Sequence, residues 1–181
     1  MKERIILEKK QFQLTLDRLC YQLIERHGSF ADVALIGMQP RGIFLSRRIK
    51  SRLEEITGLK DVLYGELDIA FYRDDFRRGN EHIIPSELKI NFSMSHKQVV
   101  LIDDVLFTGR TIRSALDAIT DFGRPNRVEL LVLIDRLYSR DLPIQADYVG
   151  LTVDTRAHDK VKVEWKEQGK KDIVQILPIQ P

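Results

Sequence analysis

VVLIDDVLFTGRT, residues 99–111, is the stretch whose reading decides the fold. Val99, Val100, Leu101 and Ile102 are apolar without alternation, the pattern of a strand buried on both faces. Two adjacent carboxylates, Asp103 and Asp104, follow at its carboxyl end and read as exposed strand-end acids. A loop then closes at Thr108-Gly109-Arg110-Thr111, where helical spacing begins. Gly109 lets the backbone approach a ligand closely. Thr108 and Thr111 offer hydroxyls, and the free N–H groups of the helix start form a ready anion site. The helix dipole adds ~0.3–1 kcal/mol to such binding. Acids beside an anion cradle suit a sugar phosphate better than a bare phosphate. The carboxylates accept from ribose hydroxyls while the loop holds the phosphate. A capped turn with two surface acids and Thr108 as helix cap explains either half of the motif, but not both in this order.

Working outward, residues 9–26 place Phe12, Leu16, Leu19, Cys20, Leu23 and Ile24 at helical spacing, with Gly28 as the stop. Residues 33–38 read as a buried strand entering the tight loop Gln39-Pro40-Arg41-Gly42. A helix is expected over 43–56, a strand over 62–72 and a helix over 110–122. Further strands are expected at 128–134, 148–153, 160–165 and 173–177. In the segment 160–165, Val161, Val163 and Trp165 read as a packed face, leaving Lys160, Lys162 and Lys166 wet. Residues 74–96 are polar and lack an apolar face, which suits a mobile loop. Buried strands alternating with amphipathic helices predict an α/β fold, a central parallel sheet flanked by helices, in one domain over 1–181. Ligands of such sheets sit outside the carboxyl ends of the strands. Residues 39–42, 103–111 and 135–136 should therefore share one rim.

Composition removes other classes. The chain has 181 residues, 43% hydrophobic and 31% charged, which excludes disorder. Its net charge of +2 is too small by itself to imply a nucleic-acid or membrane partner. No apolar run approaches the ~18 residues of a membrane span. The opening MKERIILEKK does not have the form of a signal peptide, so a cytoplasmic protein is expected. Cys20 is the only cysteine, so no internal disulfide forms. Neither G-x-x-x-x-G-K-[ST] nor G-x-G-x-x-G occurs, and the four histidines lack metal-ligand spacing.

The 99–111 stretch resembles the phosphoribosyl-pyrophosphate (PRPP) motif of type I phosphoribosyltransferases. IGMQPRGIF (36–44), GELDIAFYRDD (65–75), FGRPN (122–126), LIDR (133–136) and LPIQADYVG (142–150) are similar to successive blocks of the PyrR family. Members of that family are pyrimidine-operon regulators and uracil phosphoribosyltransferases. The resemblance implies the type I phosphoribosyltransferase fold, with a flexible loop at about 74–96. It also implies a small hood from about 136–181 plus the N-terminal segment. The implied reaction is displacement of pyrophosphate from PRPP by uracil, giving UMP. Asp103 and Asp104 take the family's ribose-binding role and, with Arg73 at the start of the flexible loop, the catalytic one. Pro40 and Arg41 match the pyrophosphate loop, and Val105, Leu106, Phe107, Thr108, Gly109, Arg110 and Thr111 the PRPP loop. Arg136 matches a family arginine on the substrate rim, and Val153 lies in the base-binding hood. The implied cofactor is Mg²⁺, bound mainly through PRPP rather than in an all-protein cage. A homodimer or tetramer is implied as well.

One segment departs from the family pattern. DRLYSRDLPIQADYVGLTVDT (135–155) is one residue longer before LPI than the family's usual form. It lacks that form's glycine, histidine and later arginine. Base choice therefore stays open between uracil and another base such as a purine. The family's RNA-binding face keeps Arg18, but Asp17 and Tyr21 replace the usual threonine and histidine, and Gln145 removes a cation. Arg47, Arg48, Lys50 and Arg52 read as a solvated helix face. A pyrimidine-responsive RNA attenuator with little catalysis is the non-enzymatic alternative.

Overall fold

The computed structural model describes residues 3–72, 90–155 and 159–178. Strand β1 (Arg4–Glu8) leads into α1 (Lys9–His27), whose buried stripe is Phe12, Leu16, Leu19, Cys20 and Leu23. The helix stops where Gly28 takes φ +58° and its N–H bonds the Ile24 carbonyl at 2.9 Å. Strand β2 (Val33–Met38) is buried along its whole length and delivers the chain to α2 (Gly42–Thr57). Strands β3 (Leu63–Leu67) and β4 (Gln98–Leu106) follow, then α3 (Arg110–Ile119), β5 (Arg127–Leu137) and β6 (Tyr148–Asp154). Strands β7 (Lys160–Glu164) and β8 (Ile173–Leu177) complete the described elements.

The main sheet has five parallel strands in the order β3-β2-β4-β5-β6. A second, antiparallel sheet joins β1-β8-β7 and so ties the two ends of the chain together. One apolar core runs from α1 and α2 into this second sheet. Trp165 is fully buried there and meets Phe12 edge-on at 5.5 Å between ring centroids. Such a pair adds about 0.5–1.5 kcal/mol to the burial itself. Arg48 of α2 lies 5.0 Å from the Trp165 ring and pairs with Glu167 and Asp172, fastening the small sheet to the large one. A second core, on the other face of the main sheet, lies under α3. Burial pushes the Cys20 thiol up to about 12, which leaves it an inert core group.

Several expectations need correction. The strand expected over 62–72 ends at Leu67, because the Asp68 carboxylate accepts the Ala70 N–H at 2.9 Å and turns the chain into a 3₁₀ turn at Ala70–Tyr72. The helix expected to Phe122 ends at Ile119 and tightens into another 3₁₀ turn. Residues 148–154, assigned to the hood from the resemblance, pair with β5 in the main sheet instead. The second sheet comprises β1, β7 and β8 alone. Strand β4 continues through both acids because β5 offers them partners, with Asp103 opposite Val132 and Val105 opposite Ile134. Lys166 falls in a turn after β7, not on the strand. Most of the expected flexible loop, with Arg73, lies outside the described residues.

Candidate active site

The carboxyl ends of β2, β4 and β5 meet the start of β7 around a cavity of about 560 Å³. Pro40, Arg41, Asp103, Asp104, Val105, Phe107, Thr111 and Arg136 line it, so the three segments expected on one rim do share it. Gly42 makes this closeness possible. A Cβ there would sit 2.4 Å from the Ile102 carbonyl oxygen and 3.0 Å from Asp103 Cα, so only glycine lets α2 start against β4.

The two acids are not exposed, contrary to the expectation for a strand end. Asp103 retains 8% and Asp104 5% of its surface. Asp103 Oδ1 accepts the Asp104 N–H at 2.8 Å. Burial, and then the neighbouring Asp104 charge, push the Asp103 carboxyl well above the usual carboxylate range. Burial raises Asp104 as well, opposed by Arg41, whose Nε stands 3.7 Å from Asp104 Oδ2. That separation is an ion pair without a hydrogen bond. Asp104 Oδ2 is buried and lacks a hydrogen-bond partner among the described residues.

Across the cavity, Arg136 is only 5% exposed. Its Nε donates to Thr155 Oγ1 at 3.0 Å, and its guanidinium carbon lies 4.0 Å from the centre of the Phe107 ring. Burial lowers its pKa against the opposing charge of Asp159. Nη2 is buried with no hydrogen-bond partner among the described residues. Asp135 is braced by Arg140, not by Arg136.

The loop after β4 carries the expected helix-start geometry in altered form. Gly109, at φ +89°, is the N-cap of α3, and no side chain caps the helix. Thr108 Oγ1 instead accepts the Arg110 N–H at 3.4 Å, a long contact. Thr111 reaches the cavity, whereas Thr108, Gly109 and Arg110 do not line it. Arg110 pairs with Asp141 at 2.9 Å. Leu106 turns into the core under α3, and Val153 into the core shared with the small sheet, so neither side chain faces the cavity. Both sit where strand alternation sends them inward.

Gln39 of the expected rim also lines the cavity, as do Ile69, Asp159, Lys160 and Val161, which the sequence does not place there. Lys160 carries a partial signal, since the alternation in 160–165 predicts a wet lysine face. That this face would border the rim follows only from how the small sheet docks. Arg18, on which an RNA face would rest, donates to the Val149 carbonyl at 3.1 Å, to the Gly150 carbonyl and to Gln22. Asp17 pairs with Arg52 at 2.8 Å.

No group of three or more His, Cys, Asp or Glu that could hold a metal ion occurs among the described residues. No helix among them is long and apolar enough to cross a membrane.

The phosphoribosyl transferase domain family matches residues 4–168. The bifunctional protein PyrR of Elusimicrobium minutum is 45% identical over 175 residues, covering 97% of each chain. That of Deinococcus radiodurans is 43% identical over 172 residues, covering 95% of this chain and 93% of its own. The hypoxanthine phosphoribosyltransferase of Trypanosoma cruzi superposes with a TM-score of 0.73 at 13% identity, covering 98% of this chain and 97% of its own. This last likeness speaks for the fold. With one domain family spanning nearly the whole chain and PyrR proteins above 40% identity end to end, the chain belongs to the phosphoribosyl transferase family and, within it, to the PyrR proteins.

Proposed function

We propose that this phosphoribosyltransferase moves the 5-phosphoribosyl group of PRPP onto uracil, giving UMP and pyrophosphate. The observation that carries the proposal is the pair Asp103–Asp104, buried at the end of β4, with Asp104 Oδ2 accepting no hydrogen bond among the described residues. A buried carboxylate without a donor is unfavourable unless a ligand completes it. Ribose hydroxyls supply such donors, and negative charge on the pair favours the oxocarbenium-like transition state. Arg41 suits the pyrophosphate, because a guanidinium can contact its oxygens bidentately. Thr111 and the backbone at the start of α3 suit the 5′-phosphate.

In the reaction, N1 of uracil forms a bond to C1′ of the ribose while the bond from C1′ to the pyrophosphate oxygen breaks. The proton of N1 is lost and pyrophosphate leaves. Arg136 fits the base side of the cavity. Its unpartnered Nη2 suits an exocyclic carbonyl oxygen, and the partly exposed Phe107 ring stacks on its guanidinium. Val153 contributes to this wall by its backbone pairing with Arg136 rather than by its side chain. Mg²⁺ fits the site as a substrate-borne ion. When bound it neutralises charge on the pyrophosphate, and Asp103 and Asp104 are the residues that would face it. Family membership supports a homo-oligomeric, cytoplasmic working form.

The test is pyrophosphate release dependent on PRPP and Mg²⁺, with uracil run beside hypoxanthine, guanine, adenine and orotate. Release with uracil alone is expected. Release only with a purine would reassign the base. PRPP binding without release for any base would overturn the enzymatic reading in favour of a regulator.

A further inference from the structure

The loop that follows β4 is shaped from outside the cavity. Three successive carbonyls, those of Leu106, Phe107 and Thr108, are taken by residues 140–142. Arg140 Nη1 donates to the Phe107 carbonyl at 2.5 Å and, at the longer distance of 3.4 Å, to that of Leu106. The N–H groups of Asp141 and Leu142 donate to the Thr108 carbonyl at 3.0 and 3.2 Å. The same guanidinium holds the Arg136 carbonyl at 2.9 Å, the Ile144 carbonyl at 3.0 Å and the Asp135 carboxylate. One side chain thus joins the end of β4, the end of β5 and the segment between β5 and β6.

Peptide planarity turns these contacts into a statement about donors. In a trans peptide the C=O and the following N–H point in opposite directions. Carbonyls of Phe107 and Thr108 drawn toward residues 140–142 leave the N–H groups of Thr108 and Gly109 directed away from them. Successive N–H groups facing one way make a concavity that receives an oxyanion. Gly109 supplies the left-handed residue such a concavity needs, at φ +89°. Its Cβ position would lie 3.2 Å from the Ile144 side chain, so the same segment packs against the turn.

We propose that Arg140 is a positioning residue for phosphoribosyl transfer, and that residues 140–142 are the outer mould of the phosphate cradle. This rests on the reading of the loop before α3 as the holder of the 5′-phosphate. Arg140 does not line the cavity and touches no substrate in this account. It acts by holding carbonyls so that donors face the phosphate before it arrives.

The experiment compares wild type, Arg140→Gln and Arg140→Lys as full chains, titrated separately with ribose 5-phosphate and with inorganic pyrophosphate and Mg²⁺. Arg140→Gln should weaken ribose 5-phosphate binding by roughly 10- to 100-fold, the scale of a misplaced positioning group. Pyrophosphate affinity, which depends on the distant Arg41 loop, should stay within about twofold. Arg140→Lys keeps a charge for Asp135 and so protects folding, yet one ammonium cannot hold carbonyls on three segments. It should lose most of the same affinity, with KM for PRPP rising more than kcat falls. If the glutamine variant unfolds, the lysine variant alone decides. Unaltered ribose 5-phosphate affinity, or equal loss for both ligands, overturns the role of Arg140. A wild-type chain that binds no ribose 5-phosphate overturns the phosphate-loop reading itself.

Discussion

Strand β5 has a buried charge near each end, and the two are treated in opposite ways. Near its amino end, Glu129 is 2% exposed and amply partnered. Oε1 lies 2.7 Å from Arg127 and 3.5 Å from Arg26, while Oε2 accepts from Tyr148 at 2.7 Å and meets His27 at 2.9 Å. Near its carboxyl end, Arg136 keeps a buried nitrogen, and Asp104 on the adjacent strand a buried carboxylate oxygen, without a hydrogen-bond partner among the described residues. The opposite shifts follow. Burial would raise Glu129, but Tyr148, His27 and Arg127 outweigh it and its carboxyl is lowered, whereas both rim acids are raised. Both carboxylate oxygens of Glu129 are completed by the fold; Asp104 and Arg136 are each left with one buried atom that makes no hydrogen bond among the described residues.

Four variants and conditions can break or sharpen that contrast. The largest effect is expected from Asp104→Asn, which removes a charge that the fold holds only through its 3.7 Å ion pair with Arg41 and that the transition state uses. Steady-state turnover should fall by about 10²–10³-fold, the scale of losing one preorganised electrostatic group. Glu129→Gln should do the reverse, leaving turnover close to wild type while unfolding free energy falls by about 3 kcal/mol, as when a buried pair loses one partner. A denaturant titration of each variant beside its kinetics checks both statements.

Acid separates the two ends further. The folded chain holds protons on the rim acids more tightly than the unfolded chain, so protonation there stabilises the fold as pH falls from neutral toward about 4. Glu129 contributes stability above the ordinary carboxylate range and loses it below about pH 4. An Asp103→Asn, Asp104→Asn double variant should therefore lose stability relative to wild type between pH 7 and the ordinary carboxylate range. Glu129→Gln should instead approach wild type at still lower pH. Melting temperatures across that range decide it. The smallest effect is expected from Thr111→Val, which removes one hydroxyl from the phosphate side. PRPP affinity should drop by about 3- to 10-fold, matching one hydrogen bond of 0.5–1.5 kcal/mol. An unchanged affinity would leave the backbone as the whole phosphate holder.

Much of the rim was legible in the sequence because its chemistry is local. Val99 to Ile102, the two acids and Gly109 lie within one short stretch, and Arg41 follows the one other strand that ends in a tight loop. What could not be read is what depends on distant partners. The run of apolar residues stops at Ile102, which predicts a strand end there and exposed acids. Only β5, pairing along to Asp135, shows that they are enclosed. Strand β1 shows just three apolar residues among charges, and its reason to exist is β8, some 170 positions later. Asp159 and Lys160 reach the cavity through the docking of that same small sheet. Arg140 gave no signal at all, since its partners are backbone carbonyls that every residue possesses.

The most direct test of the central claim is to measure unfolding free energy for wild type and Asp104→Asn, each with and without Mg²⁺ and PRPP. If the rim acids are held incomplete for the substrate, the asparagine variant is the more stable of the two without ligand. Wild type then gains about 2.7 kcal/mol at PRPP 100-fold above its Kd, and the variant gains distinctly less at the same concentration. A variant that is less stable without ligand and gains as much from PRPP as wild type does would contradict the account.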